Sequence, residues 1–334
     1  MTAQPRSGLS EASILAAVLP QLPTGEQVEV GPGDDAAVVR LPSDRLVVTT
    51  DALVEGHDFL PGATLPRWIG RKAAVQNLAD VAAMGARPLA LVVALSAPAG
   101  TDPSVFEELS AGLAERAAAD GAVIVGGDLG RADRLSLAVT AMGAMAPGDA
   151  PVLRSGARPG DVLAIGTERL GRSAAGLALV LGGKVHVDAA GSISLEDITT
   201  PDAADLVRHH DAPEVDLSLG WGAGRTAHAM MDLSDGLVRD GGRLAAASRV
   251  RIDLDRAALA PDAEALAALA EELGEDPWAW VLHGAEEHAM LAAFAPDEVP
   301  TGFRSIGRLH EAGDGPAVTL DGTPIPGEGF DHFA

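Results

Sequence analysis

Leu46-Val47-Val48-Thr49-Thr50-Asp51 is the stretch on which the reading of the fold turns. Its apolar, β-branched character predicts a strand, and two hydroxyls and a carboxylate fall at its C-terminal end. Upstream, Gly31-Pro32-Gly33-Asp34-Asp35-Ala36 is a turn signal that brings two more carboxylates to the strand's edge, after a short helix from Glu11 to Leu19 closed by Pro20. Downstream, Arg67 to Ala86 has helical character, with Pro66 near its start, Gly85 near its end, and Asn77, Asp80 and Met84 at spacings that share one face. Leu89 to Leu95 reads as a buried strand. Asp102 caps a helix with Pro103 at its first position, and Ala122-Val123-Ile124-Val125 is a short strand that opens directly onto Gly126-Gly127-Asp128. Leu135 to Met142 supplies one more strand.

This alternation of strands and helices predicts an α/β or α+β architecture. At 334 residues the chain is long enough for two domains of about 100–200 residues each. The Gly- and Pro-dense stretch from Ala146 to Asp161 marks the boundary, so the expected domains are 1–148 and 149–334. In the second half, Val162 to Ile165 reads as a strand, Ala174 to Leu181 as a helix, and Ser192 to Pro201 as a polar connection. Thr226 to Met231 then runs into Asp232-Leu233-Ser234-Asp235-Gly236-Leu237, followed by a helix with Leu237 and Leu244 inward and an Ala/Glu-rich helix around Ala263 to Leu273.

Composition excludes several classes of function. The 48 Asp and Glu against 24 Lys and Arg give a net charge of -24, which repels nucleic acid and anionic membrane in the absence of any basic run. An anionic substrate then needs metal ions or localised arginines. With no Cys, disulfides, thiolate metal sites and cysteine nucleophiles are ruled out. No apolar signal core and no membrane-span-length apolar run is present, so a cytoplasmic protein is expected.

Asp34/Asp35, Asp51, Asp80, Asp128 and Asp232/Asp235 are carboxylates in turn or strand-end settings. Singly, each is more often a turn former, a helix cap or a solvated charge than a metal ligand. Together they form a hard-oxygen set suited to magnesium or calcium, which would bridge the phosphates of a nucleotide. Gly126 and Gly127 permit close backbone approach to phosphate oxygens, or serve only a turn. No Walker lysine motif and no GxGxxG dinucleotide arrangement is present, so a nucleotide site here uses another scaffold.

Seven segments, in order along nearly the whole chain, resemble the thiamine-monophosphate kinase family: GPGDDAAVV (Gly31–Val39), TTDALVEGHDF (Thr49–Phe59), NLADVAAMGARP (Asn77–Pro88), GGDLGR (Gly126–Arg131), RSGARPGD (Arg154–Asp161), MDLSDGLVRD (Met231–Asp240) and GFDHF (Gly329–Phe333). Several also resemble the wider ATP-binding superfamily of aminoimidazole ribonucleotide synthetase, selenophosphate synthetase and a hydrogenase maturation factor. The resemblance implies a two-domain subunit, a homodimer whose N-terminal domains pair through β-sheet, and active sites along the interdomain cleft. It matches Asp34, Thr49, Thr50, Asp51, Asp80, Asp128, Asp232 and Asp235 to magnesium positions, and Gly127, Asp128, Arg154 and Ser234 to ATP contacts. The implied reaction is direct transfer of the ATP γ-phosphoryl group to thiamine monophosphate, with no covalent nucleophile and no obligatory general base.

Two segments depart from the family pattern. The acceptor-contact position usually held by histidine falls on Asp58, with His57 beside it, and the GGEDYEL-like stretch appears as Gly284-Ala285-Glu286-Glu287-His288-Ala289-Met290, with His288 at the common tyrosine. Glu286, Glu287 and Phe330 are the other acceptor contacts that the resemblance implies, although from the residues alone the terminal Phe330 serves equally to cover the core. The alternatives are another ATP-dependent enzyme of the superfamily acting on a ribonucleotide or a small inorganic acceptor, a noncatalytic Mg-ATP-binding regulatory module, and a metal-dependent phosphatase.

Overall fold

The computed structural model describes residues 11–32, 36–327 and 329. Asp34 and Phe330 therefore lie outside the described residues.

The first half begins with α1 (Glu11–Val18), β1 (Val28–Val30), β2 (Val38–Val39) and β3 (Leu46–Val54). It continues through α2 (Pro66–Ala83), β4 (Arg87–Ala97), α3 (Pro103–Ala119), β5 (Val123–Arg131) and β6 (Ser136–Ala144). β1 and β2 pair as a small ribbon, while the remaining strands form a sheet of order β3-β6-β4-β5. Asp102 caps α3 as expected, its carboxylate accepting from the Ser104 N–H at 2.9 Å.

Two strands run further than their sequences suggested. β3 continues through Ala52-Leu53-Val54 because the inward–outward alternation persists and Leu53 is completely buried. Asp51 therefore sits within the strand and not at its end. β5 continues through Gly126-Gly127-Asp128 to Arg131 because β4 runs parallel beside it for its whole length. At Gly127 an added Cβ would collide with the Val93 carbonyl, so this glycine is required by the strand pair itself.

One face of the sheet is covered by α2; the other is covered in part by the β1–β2 ribbon, where Val28 and Val39 pack with Leu89, Val123 and Val125, and is free along β3. Val47, Thr49, Asp51 and Leu53 face α2, whereas Leu46, Val48, Thr50 and Ala52 are exposed. On the covered side α2 is buried almost all round, clamped between this sheet, α3 and elements of the second half. Its small residues allow that enclosure: a Cβ at Gly70 would strike the Leu109 carbonyl of α3, and one at Gly112 the Arg67 carbonyl of α2.

The second half contains β7 (Val162–Ile165), α4 (Arg172–Leu181), β8 (Val185–Val187), β9 (Ile193–Leu195), α5 (Ala203–Asp211), α6 (Ser218–Trp221) and β10 (Ala229–Asp232). It ends with α7 (Leu237–Ser248), β11 (Val250–Leu254), α8 (Arg256–Leu273), α9 (Pro277–His283), β12 (Met290–Phe294), β13 (Arg304–Glu311), β14 (Val318–Leu320) and β15 (Thr323–Pro324). Seven of these strands make a mixed sheet of order β10-β12-β7-β13-β11-β14-β15. The polar connection expected from Ser192 holds β9, which pairs with β8 in a hairpin closed by an Asp188 side chain accepting from the Ala190 and Ser192 N–H groups. Among the described residues no helix is long and apolar enough to cross a membrane.

Candidate active site

A cleft of about 300 Å³ opens where α2 meets the second half, lined by Asp51, Gln76, Asp80, Arg154, Asp232, Ser234, Asp235, Glu286 and His288 among others. Its acidic part is assembled from three elements. Asp51 comes from β3, Asp80 from the last full turn of α2, and Asp232 from the end of β10 opposite Met290 of β12. The Thr49 hydroxyl donates to Asp80 Oδ2 at 2.7 Å, and the Asn77 amide oxygen accepts from the Asp51 N–H at 2.9 Å, which fixes α2 against β3 at this point.

These carboxylates strain one another electrostatically. Burial pushes the Asp51 carboxyl up to about 6, reinforced by the charges of Asp80 and Asp232. Asp80 is also raised, by burial first and then by Asp232, although the Thr49 hydroxyl and more weakly Arg154 oppose this. Crowded carboxylates suit a hard divalent cation, whose charge would relieve the repulsion. Among the described residues no group of three or more His, Asp or Glu side chains is arranged to hold a metal ion by itself.

Other residues expected at the site are placed differently. The Thr50 side chain projects to the free face, where its hydroxyl donates to the Val139 carbonyl at 3.0 Å, so it does not join Asp51 and Asp80. Gly127 and Asp128 line a separate, largely apolar cavity of about 970 Å³ beside α1 and α3. The register makes the separation plain: Asp51 pairs with Val139, Val139 with Val93, and Val93 with Gly127, one row crossing the sheet from edge to edge. At about 4.8 Å per strand, Asp51 and Gly127 stand roughly 14 Å apart. Asp235 lines the cleft but is engaged by Arg243 at 2.5 Å, and Asp240 accepts from the Ser234 and Asp235 N–H groups at 2.9 and 2.7 Å.

The acceptor residues divide likewise. Glu286 faces the cleft and pairs with the buried Lys72 at 2.8 Å. Burial alone would raise its carboxyl, but the Lys72 ammonium, as charge and as hydrogen-bond donor, outweighs that and holds it below the usual range. Glu287 instead turns inward, accepting from the Ser173 N–H at 3.0 Å in the first turn of α4. Asp58 lines the cleft while its carboxylate accepts from the Val54 N–H at 2.7 Å and its carbonyl from Lys72 Nζ at 3.1 Å.

Sequence reasoning missed Lys72 and the run His209-His210-Asp211 at the end of α5. All four are buried, and their meaning depends on a loop, 284–288, that arrives from far along the chain. Glu286 and His288 both adopt left-handed backbone, with φ of 62° and 53°, which turns one side chain to Lys72 and the other toward Asp232. Burial and the Lys72 charge push His210 down to about 3, so it is a neutral ring between Ser173 and Glu286.

Comparison with known proteins agrees with this architecture. Residues 33–145 match the family model for the AIR synthase related protein, N-terminal domain. The thiamine-monophosphate kinase of Mycobacterium tuberculosis is 48% identical over 297 residues, covering 88% of this chain and 83% of that protein. The structure of AaThiL complexed with AMPPCP and TMP superposes with a TM-score of 0.76 at 30% identity, covering 90% of this chain and 91% of the other. That of thiamine-monophosphate kinase from Stenotrophomonas maltophilia K279a gives 0.75 at 32% identity, covering 93% and 95%. With the α/β fold, the acidic cleft between its two halves and relatives matched over 83% to 95% of their length, the chain belongs to the thiamine-monophosphate kinase family.

Proposed function

We infer that this chain transfers the γ-phosphoryl group of ATP to the phosphate of thiamine monophosphate, forming thiamine diphosphate and ADP. The observation that carries the reading is the acidic cleft of Asp51, Asp80 and Asp232 beside Arg154, in a chain of this family. An acceptor phosphate oxygen is already anionic near neutral pH, so attack on the γ-phosphorus needs placement and charge balance more than a protein base. As the new P–O bond forms, the bond from the γ-phosphorus to the bridging oxygen breaks and ADP departs. Arg154 offers a planar guanidinium fork to phosphate oxygens, and the Ser234 backbone, tied to Asp240, holds a polar rim.

Asp51, Asp80 and Asp232 are the residues that would hold magnesium, with Asp235 reachable if Arg243 yields. Bound there, Mg²⁺ neutralises phosphate charge and stabilises the charge on the transferring group. Asp34 and Phe330 keep the metal and acceptor roles that the family resemblance gives them. Asp58 and Glu286 both line the cleft; Glu286, held ionised there by Lys72, is read as the direct acceptor contact, with Glu287 supporting it through α4.

The chain reads as domains 1–148 and 149–334 and as a cytoplasmic homodimer. The free sheet face supports the dimer, since Leu46 and Val48 lie open on it at 44% and 56% exposure. Pairing two such faces about a two-fold axis also offers a meeting place for Thr50 on one copy and the Gly127–Asp128 edge of the other, which a single chain keeps apart.

Incubation with Mg-ATP and separate acceptors tests the function. Stoichiometric thiamine diphosphate from thiamine monophosphate, and no efficient phosphorylation of free thiamine, is the expected result. Turnover of a purine-pathway acceptor in its place, or release of inorganic phosphate without any phosphorylated acceptor, would overturn it.

A further inference from the structure

Asp211 is the last residue of α5, 4% exposed, and lines the cleft beside Leu177, Val180 and Leu181 of α4. Its Oδ2 is buried and makes no hydrogen bond of good geometry; the nearby Thr64 hydroxyl, equally without a well-formed bond, is the one hydroxyl that draws on it. A buried carboxylate oxygen left unpaired is costly, and in a folded protein its presence calls for an explanation such as an unfilled ligand site. Lys72 does not supply the missing partner, because its ammonium is directed to Glu286 at 2.8 Å and the Asp58 carbonyl at 3.1 Å.

The spacing of this group from the acidic part of the cleft matters. Lys72, Gln76 and Asp80 lie at four-residue intervals along α2, so the level of Lys72 and Asp211 is about 12 Å along the helix from that of Asp80. A phosphate ester placed with its phosphate near Asp80 extends its organic body toward an apolar wall carrying one unpaired acid.

We propose that Asp211 is a specificity-determining residue that accepts a hydrogen bond from the exocyclic amino group of the acceptor's aminopyrimidine ring. This rests on the reading of thiamine monophosphate as acceptor, and refines it by naming the atom that is recognised. Burial pushes the Asp211 carboxyl up to about 7, against the opposing pull of Lys72 and Thr64, so both its protonated and its ionised forms are within reach at neutral pH. Such a carboxyl matches the donor and acceptor edge of an aminopyrimidine side by side.

The test compares thiamine monophosphate with oxythiamine monophosphate, in which the amino group is replaced by oxygen, on the wild-type protein and on Asp211→Asn. A hydrogen bond to an ionisable partner predicts that the wild type prefers the amino compound by about 10- to 100-fold in kcat/KM, and that Asp211→Asn, whose amide donates, loses or inverts that preference. Equal wild-type kcat/KM for the two acceptors overturns the proposal without any variant, while leaving the kinase reading intact. An unchanged preference in folded Asp211→Asn overturns it too. Phosphorylation of neither acceptor by the wild type defeats the kinase reading and this inference with it.

Discussion

Lys72 Nζ lies 2.8 Å from Glu286 Oε1, joining the buried face of α2 to a loop 214 residues further along the chain (286 − 72). The lysine side chain is 2% exposed and the glutamate 25%. The pair therefore ties the two halves of the molecule together at the wall of the cleft and holds Glu286 ionised toward it.

Lys72→Met leaves Glu286 without its cation and is expected to cost about 3 kcal/mol in stability. Denaturant unfolding of Lys72→Met, Glu286→Gln and the double variant should show that the double loses less than the sum of the singles, since neither charge is then left alone. Strict additivity would show that the pair is not coupled.

Asp51→Asn and Asp128→Asn should each lower kcat/KM by about 100-fold or more, with the loss eased at high magnesium. Because the two residues occupy opposite edges of the sheet, mixing the inactive variants after subunit exchange should restore about a quarter of wild-type activity: half of the dimers are mixed, and each has one site free of both changes. No recovery would mean that each site is built from one subunit.

Val48→Glu places a charge at the centre of the exposed apolar face and should shift the mass from dimer to monomer. Light scattering over a wide concentration range measures this, and the α2 side of β3 should be unaffected by circular dichroism. A wild-type protein of monomer mass at every concentration would remove the dimer reading.

Asp211 has a pH signature in the ligand-free protein. Its carboxyl is raised from the ordinary range to about 7 by burial, with Lys72 and Thr64 opposing and Glu286 assisting. The folded state therefore holds the proton more tightly than the unfolded state. That contribution is fully present below about pH 4 and is lost as the pH rises through about 7. Asp211→Asn, which stays neutral, should gain on the wild type between pH 5 and 8 by on the order of 1–3 kcal/mol in denaturant unfolding. A constant difference across that interval would count against the shift.

Legibility in the sequence differed from residue to residue. Asp51, Asp80 and Asp232 stood out because each interrupts an apolar strand or an alanine-rich helix with a charge, and the structure brings all three to one cleft. The local pattern ends β3 three residues and β5 six residues too early, because the continuation of these strands depends on β6 and β4 alongside, which local composition does not reveal. The sidedness of Thr50 followed from period-two alternation once the strand was correctly extended. Lys72 and His209-His210-Asp211 were not legible at all. A lysine on a helix and a polar run at a helix end ordinarily face solvent, and only the return of residues 284–288 encloses them.

The contact between α2 and α3 has a consequence for substrate choice. Gly70 and Gly112 let the two helices approach until backbone meets backbone, leaving no slack for α2 to slide. The helix then acts as a fixed gauge, set at about 1.5 Å per residue between the level of Asp211 and that of Asp80. With the ring held at Asp211 as proposed, an acceptor with one extra methylene between ring and phosphate is expected to meet both ends only in a less favourable conformation, so the kinase would discriminate by molecular length as well as by chemical identity.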